Sequence, residues 1–400
     1  MRVLFVSPFL PYPPVAGGHR QIWTWLTRLA RRHQLAFAGF YEREAEAANI
    51  GEVARLCAET RVRLRCPTPH AYPSFAQVPR WVSEFYSEEL ARDVAELARS
   101  FRPDAVQLLH TSMAQYGRYV EGARVVVTAL DIAFIAQRRR IGNTRGLARL
   151  QARCEWLRML RHEAAAFTHA DHVIAVSEKD AQVIRSVARH TRVTAVPPGV
   201  DREQMAPRQR RPQPGRVLYV GHMEHYPNLD GLVFLYEQVW TQVRHAYPQA
   251  HLVIAGGRTR EELARVAPDI LRRMEHDASV EIAGFVPELG AVMDEVAALA
   301  APLRLGSGVR NKVIEAMAAG LPVVTTSLGA EGLAVEHGRE LLIADEPRQF
   351  AGELVHLFKD SDMQARLSSA GRELVAREHD NERVVERLET ALLRAAAERT

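Results

Sequence analysis

Residues 196–215 read VPPGVDREQMAPRQRRPQPG, and residues 216–223 read RVLYVGHM. The first stretch holds five prolines among polar residues and too few apolar ones to build an element, so it reads as a linker. The second is a fresh apolar run of strand length. The same alternation of apolar runs and helical patterns lies on both sides of this boundary. Upstream come RVLFVS (2–7), QLAFAGF (34–40), AVQLLH (105–110), ARVVVTAL (123–130) and HVIAVS (172–177). Between the first two, Ile22, Leu26 and Leu29 recur on one helical face. Downstream come AHLVIAGG (250–257), VEIAGFV (280–286), AALAAPL (297–303) and LPVVTTS (321–327). Short buried strands separated by helices make a parallel α/β sheet. Two such sheets in one chain predict two Rossmann-like α/β domains with a ligand cleft between them, outside the C-terminal strand ends. The expected division is 1–200, a linker at 201–215, a second domain at 216–375, and a crossover helix at 376–400 that packs back on the first domain.

The bulk numbers agree with two soluble domains. The chain has 400 residues, 47% hydrophobic and 25% charged, which is ordinary for globular proteins. The start, MRVLFVSPFLPYPP, is apolar but short and reads as a first strand, not a signal peptide. No run approaches the ~18–20 apolar residues of a membrane span. Cys57, Cys66 and Cys154 suggest neither a metal site nor a disulfide framework, and a cytoplasmic chain is expected.

Charge is unevenly spread. Residues 1–200 carry 28 Arg and Lys against 18 Asp and Glu, whereas residues 201–400 carry 24 against 30. The basic excess is densest between Arg138 and Arg161, which holds eight Arg and one acid, Glu155. Leu147, Leu150, Cys154, Leu157 and Leu160 recur there at helical spacing, so an amphipathic basic helix over 138–161 is expected. It is either a solvated face or a dock for anionic lipid headgroups at the inner face of the membrane. The segment 69–86, PHAYPSFAQVPRWVSEFY, lacks periodicity and reads as a surface excursion near a ligand path.

The chemistry concentrates at 306–324, GSGVRNKVIEAMAAGLPVV. Gly306-Ser307-Gly308 reads as a turn, with Ser307 as N-cap of a helix that runs to Ala319 and stops at Gly320. A helix N-terminus offers free amides and partial positive charge. Gly306 and Gly308 would let the backbone approach an anion closely. Arg310 and Lys312 would clamp a diphosphate, and Glu315, sharing a face with Lys312, would meet hydroxyls. The plain alternative is a strand–helix turn with a surface Lys–Glu pair.

This stretch resembles the donor-site signature of family 4 glycosyltransferases of the GT-B fold. VGHMEHYPNLDGLVFL, VIAGG, GFVPE and EGL follow in that family's order. SPFLPYPPVAGG, IAVSEKD and PPGVD resemble its first domain. The pattern is most similar to sugar transferases of bacterial exopolysaccharide clusters. The resemblance implies that Glu315 binds the nucleotide ribose, that Arg310 and Lys312 hold the diphosphate, and that Phe285 and Val286 lie beside the base. It places Gly17 and Gly18 at the phosphates and adds Gly221, Gly306, Ser307, Gly308 and Val309 to the donor site. Ser307 departs from the family, which carries a first glutamate there that faces the donor sugar. The Arg and Lys expected after the second domain's first strand are also missing from GHMEHYPN.

His110, ending AVQLLH, occupies a strand end where family members often carry a His near the transferred sugar; the residue alone is equally a satisfied cleft-edge His. Asp131, and Thr111 beside His110, are acceptor-side candidates, although Asp131 would also serve as a helix cap. No zinc spacing or Asp-x-Asp pair occurs, so no metal is expected, nor any cofactor beyond a nucleotide-diphosphate sugar as co-substrate. No nucleic-acid motif is present. The resemblance implies a metal-independent retaining hexosyltransferase acting on a hydroxyl acceptor, lipid-linked or otherwise, in glycan, polysaccharide or glycolipid biosynthesis. The rival readings are a nucleotide-sugar 2-epimerase and a catalytically inactive sugar-nucleotide-binding subunit.

Overall fold

The computed structural model describes residues 1–66, 78–142, 144–205 and 209–397. Part of the 69–86 excursion and residues 206–208 of the expected linker therefore lie outside the described residues. The chain forms two compact units: Met1–Pro198 together with the chain from Asn381, and Gly199–Asp380.

The first unit is a seven-stranded parallel sheet of β1 (Arg2–Ser7), β2 (Gln34–Tyr41), β3 (Glu59–Leu64), β4 (Ala105–Leu109), β5 (Arg124–Ala129), β6 (His172–Ala175) and β7 (Val193–Ala195). Its order is β3-β2-β1-β4-β5-β6-β7. The helices that concern the site are α1 (Gly17–Leu29), α2 (Glu88–Ser100), α3 (Ala133–Ile141), α4 (Gly146–His169) and α5 (Glu178–Val187). Strands β1 and β4 are apolar and buried along their length because helices cover both faces of a parallel sheet. One core layer joins Leu4, Val6, Leu108 and Val127 to α2 through Leu90, Val94 and Leu97. The opposite layer joins Val3, Phe5 and Phe37 to Ile22, Trp25 and Leu26 of α1.

The second unit repeats the plan with β8 (Gln213–Val220), β9 (His251–Ala255), β10 (Val280–Gly284), β11 (Val296–Ala301), β12 (Val323–Thr325) and β13 (Leu342–Ile343), in the order β10-β9-β8-β11-β12-β13. Helix α6 (Tyr226–Phe234) follows β8, α7 (Asn311–Ala318) follows β11, and α8 (Pro347–Lys359) and α9 (Ser361–Glu378) close the unit. In both units the first and fourth strands are neighbours and the order reverses between them. That reversal opens a crevice at the strands' C-terminal ends.

The last helix, α10 (Asn381–Ala397), belongs to the first unit. Val384, Val385, Leu388 and Leu392 enter the core layer of α1. Burying four such side chains contributes about 1.5–3 kcal/mol each. Arg28 Nε meets Glu382 at 2.9 Å, and Glu389 receives both Arg32 at 2.7 Å and His33 at 2.8 Å.

Two boundaries differ from the sequence reading. The described part of 201–215 is largely structured: Arg202–Met205 is helical, and Gln213 already begins β8. Arg210 donates to the carbonyls of Met293, Val296 and Gly320, which fastens this stretch to the second unit despite its prolines. The basic segment 138–161 is not one helix. Helix α3 ends at Ile141 and α4 starts at Gly146, whose φ of +57° permits a turn that a side chain would resist. No helix among the described residues is long and apolar enough to cross a membrane.

Candidate active site

In the second unit, the loop after β11 and the loop after β8 meet at the strand-order reversal. The β11 loop turns through Gly306 (φ +100°) and Gly308 (φ +77°), a conformation other residues adopt only with strain. Arg310 folds back over this turn and donates to the Ser307 carbonyl at 2.6 Å. Helix α7 begins at Asn311, with Arg310 in the N-cap position and no side-chain cap. Ser307 therefore does not cap the helix as expected. The two left-handed glycines delay the helix by a turn, and the Ser307 hydroxyl oxygen is buried with no hydrogen-bond partner. The Asn311 amide oxygen shares that condition.

Lys312 is not the surface cation of the plain alternative. Its ammonium donates to the Val220 carbonyl at the end of β8 and, at 2.9 Å, to Asn228 Oδ1 on α6. It also lies 5.3 Å from the centre of the buried Tyr219 ring. These partners are neutral. Burial, reinforced by the Arg310 guanidinium and opposed by Glu315, pushes the Lys312 pKa down to about 7. Asn228 is a residue the sequence reading passed over. It joins Lys312 to the β8 loop by donating to the His222 carbonyl at 2.9 Å. The signal was available, since an Asn next to the proline that opens α6 stands one turn in from the loop.

Gly221 is needed for close packing. A Cβ there would come within 2.8 Å of Asn228 Cγ. Glu315 is half-buried, three residues beyond Lys312 on α7. Val309 and Val286 pack on the core beneath the loops. Phe285 follows Gly284 (φ +69°) and is 74% exposed, an unusual exposure for an aromatic ring at a strand end.

In the first unit the loop after β4 carries His110 at φ +84°, a strained value for a side chain with a Cβ. Its Nδ1 accepts from the Ser112 amide at 3.5 Å, and its Nε2 lies 3.2 Å from Asp131 Oδ1, an ion-pair distance without hydrogen-bond alignment. Trp81, from the described part of the aromatic excursion, stands edge-on to the imidazole with ring centres 4.7 Å apart. Asp131 thus pairs with His110 instead of capping a helix. Thr111 does not face a site. Its fully buried hydroxyl donates to Glu163 Oε1 at 2.8 Å.

Glu163, on α4, is the main residue the sequence reading missed here. It is fully buried and also accepts the amides of Ala133 at 3.1 Å and Phe134 at 2.8 Å, the first turn of α3. It joins the loop after β4 to the loop after β5, and so fixes the spacing of His110 and Asp131. Burial, with a smaller push from Asp131, raises its pKa to about 7 despite three donors. Elsewhere in this unit, Gly17 and Gly18 open α1 after Ala16, with Phe9 stacked on His19 beside them at 4.2 Å.

Comparison with known proteins bears on the fold and on the second unit's family. Residues 214–360 match the family model described as Glycosyl transferases group 1. A protein of the cps region of Klebsiella pneumoniae is 26% identical over 168 residues, 42% of this chain and 43% of that protein. The chain thus spans less than half the length of this curated relative. Sucrose-phosphate synthase from Thermosynechococcus elongatus superposes with a TM-score of 0.72 at 16% identity, covering 98% of this chain and 99% of that one. Anabaena HepE in complex with UDP superposes with a TM-score of 0.70 at 14% identity, covering 98% and 100%. Residues 214–360 of the second unit thus match the group 1 glycosyl transferases, and the chain as a whole has the GT-B fold.

Proposed function

We propose that this chain moves a sugar from a nucleotide-diphosphate donor to a hydroxyl acceptor, with retention at the anomeric carbon and without a metal ion. The observation that carries the reading is the Lys312 ammonium, enclosed among neutral oxygens beside a second cation at the strand-order reversal. A buried cation whose hydrogen-bond acceptors are neutral and whose neighbour is a second cation is costly, and a diphosphate would offset that cost. HepE, a neighbour of the same fold, has been solved with UDP-glucose, which supports a UDP-sugar as donor. The relative from a cps region supports a role in polysaccharide assembly.

In this reading Arg310 and Lys312 take the diphosphate and Glu315 takes the ribose. Gly221, Gly306, Gly308 and Val309 shape the walls, and Phe285 and Val286 flank the base. The Ser307 hydroxyl and Asn311 amide, both with an unpaired buried oxygen, take over sugar contacts that a glutamate at 307 would make. The bond from sugar C1 to the diphosphate oxygen breaks, and negative charge gathers on the leaving phosphate. Fixed donors are strongest where charge develops, and losing one costs about 10²–10³ in rate. The acceptor oxygen then bonds to C1 on the face the phosphate left, and its proton passes to a phosphate oxygen. Within the first unit, this reading gives the sugar-side role to the His110 imidazole beside Asp131 and a phosphate role to the amides of Gly17 and Gly18.

The test is incubation with UDP-, GDP- and ADP-sugars, with and without hydroxyl acceptors, in the presence of EDTA, followed by NMR of the product anomer. Acceptor-dependent nucleotide release with a retained anomer is expected. Isomerised donor without transfer would assign the epimerase reading, and binding without turnover a sugar-nucleotide-binding subunit. Loss of turnover in EDTA would refute the metal-independent step.

A further inference from the structure

Helix α4 has two apolar faces, and the fold uses only one. Trp156, Met159, Leu160 and Phe167 pack on the core of the first unit, and Glu163 points the same way. At about 100° per residue, Leu147, Leu150, Cys154 and Leu157 fall on the other side. The three leucines are 70%, 58% and 45% exposed, and Cys154 is exposed as well. A single exposed leucine requires no explanation, but three in one stripe about 15 Å long form a patch. Arg145, Arg149, Arg153 and Arg161 lie within and beside it, all exposed, and Arg138 and Arg140 on the adjoining α3 are exposed as well. Glu155 is the one acid between residues 132 and 162, and it is engaged by Arg158 at 3.3 Å and the Arg80 amide at 2.9 Å.

We propose that this face of α4 docks on an anionic lipid bilayer, the leucines entering the boundary between headgroups and acyl chains and the arginines meeting the headgroups. Charge complementarity selects this occupant. A second copy using the same face would set one arginine cluster against another, which is repulsive. A nucleic acid would meet the arginines but would leave the leucine stripe facing phosphates. The inference does not rest on glycosyl transfer, because vesicle binding is read with no donor present.

The test is flotation of the full chain with phosphatidylcholine vesicles, with and without about a third phosphatidylglycerol, at about 50 mM and about 500 mM salt. Partition onto the anionic vesicles is expected to exceed that onto neutral ones at least tenfold, and to fall about tenfold at high salt. The combined change Leu147→Gln, Leu150→Gln and Leu157→Gln is expected to reduce low-salt binding about tenfold with an unchanged melting temperature, since these side chains lie outside the core. An environment-sensitive dye on Cys154, with Cys57 and Cys66 changed to Ser, is expected to shift blue on anionic vesicles. Equal binding to neutral vesicles, no binding at low salt, indifference to the leucine changes or a silent dye would each overturn the proposal. So would a concentration-dependent dimer that the leucine changes abolish, or a melting temperature that drops with them.

Discussion

Both units set their candidate chemistry after the first or fourth strand of the same parallel order, yet they bury opposite charges there. Residues 1–200 are the basic half, and the group buried beside the candidate site of the first unit is a carboxyl, Glu163. Residues 201–400 are the acidic half, and the group enclosed at the candidate site of the second unit is an ammonium, Lys312. The last twenty residues carry four acids and four bases, so each unit keeps the sign of its half. Net charge describes a surface and what it attracts at long range. The sign at a site is set by the few groups that topology removes from water. The two groups also differ in their partners. Glu163 is satisfied by three donors from its own unit, which marks a structural clamp. Lys312 is held by neutral acceptors beside another cation, the arrangement on which the proposed diphosphate site rests.

The largest effect that would break this contrast is expected at Lys312. Lys312→Met should lower turnover about 10²–10³-fold, the usual loss for one fixed donor to a developing oxyanion. Stability should change little, because removing a buried charge offsets the loss of hydrogen bonds to Val220 and Asn228. Steady-state kinetics beside a thermal melt measures both. A melt that collapses with activity would make Lys312 a structural clamp like Glu163. The complementary change, Glu163→Ala, should do the reverse. It leaves a buried hydroxyl and two amides unsatisfied, at about 1–3 kcal/mol each before relaxation, so the melting temperature should fall steeply. Glu163→Gln keeps one oxygen acceptor and should recover part of that stability. If His110 and Asp131 act as a pair, it should still show a several-fold lower kcat at unchanged donor KM.

The same contrast predicts opposite pH slopes. Glu163 has a folded pKa raised to about 7, so its stabilisation is present at low pH and is lost as pH climbs from its ordinary 4.5 through 7. Lys312 has a folded pKa lowered from 10.5 to about 7, so its contribution is lost as pH falls through 7 and grows between 7 and 10.5. Difference melts of Glu163→Gln and Lys312→Met against the parent isolate each slope. Donor binding should reverse the Lys312 trend, because a diphosphate favours the ammonium. UDP affinity should weaken as pH rises above 7, with proton uptake seen by calorimetry in buffers of different ionisation enthalpy. Lys312→Arg, whose charge does not titrate in this range, should remove that dependence while still binding. A flat pH profile in the parent would show that the anion does not reach Lys312.

The strands of both units were legible because buried parallel strands are continuous apolar runs, as in RVLFVS and RVLYVG. Candidate site residues were nameable chiefly where the chemistry is local in sequence. Arg310, Lys312 and Glu315 lie within six residues of one another, and all were named. Glu163 meets Thr111 across 52 residues and Asn228 meets Lys312 across 84, and no spacing rule reaches that far. The helix start at Asn311 and the break before Gly146 failed for another reason. Both depend on glycines taking positive φ, and sequence shows that a glycine is present without showing which sign its φ takes.

That ambiguity yields the smallest and most specific difference between the units. Gly18 and Gly306 read alike in sequence, as residues that let the backbone approach an anion. In the structure Gly18 is in the first turn of α1, and a Cβ there would meet only the Phe9 ring edge at 3.3 Å. Gly18→Ala gains helix propensity of up to about 1 kcal/mol against that crowding, so its melting temperature should stay within a few degrees of the parent. Gly306 sits at φ +100°, and its Cβ would press on Arg310 Nη2 at 3.2 Å. Gly306→Ala should cost about 1–2 kcal/mol through the strained backbone. It should also weaken UDP binding, because the displaced guanidinium is one of the two cations assigned to the diphosphate. Melting curves and UDP titrations on the two variants separate a glycine in an ordinary helical turn, where a methyl leaves the backbone amide in place, from one whose positive φ shapes a loop. Equal behaviour of the two would mean that the loop at 306 tolerates a side chain, and that the position of Arg310 does not depend on it.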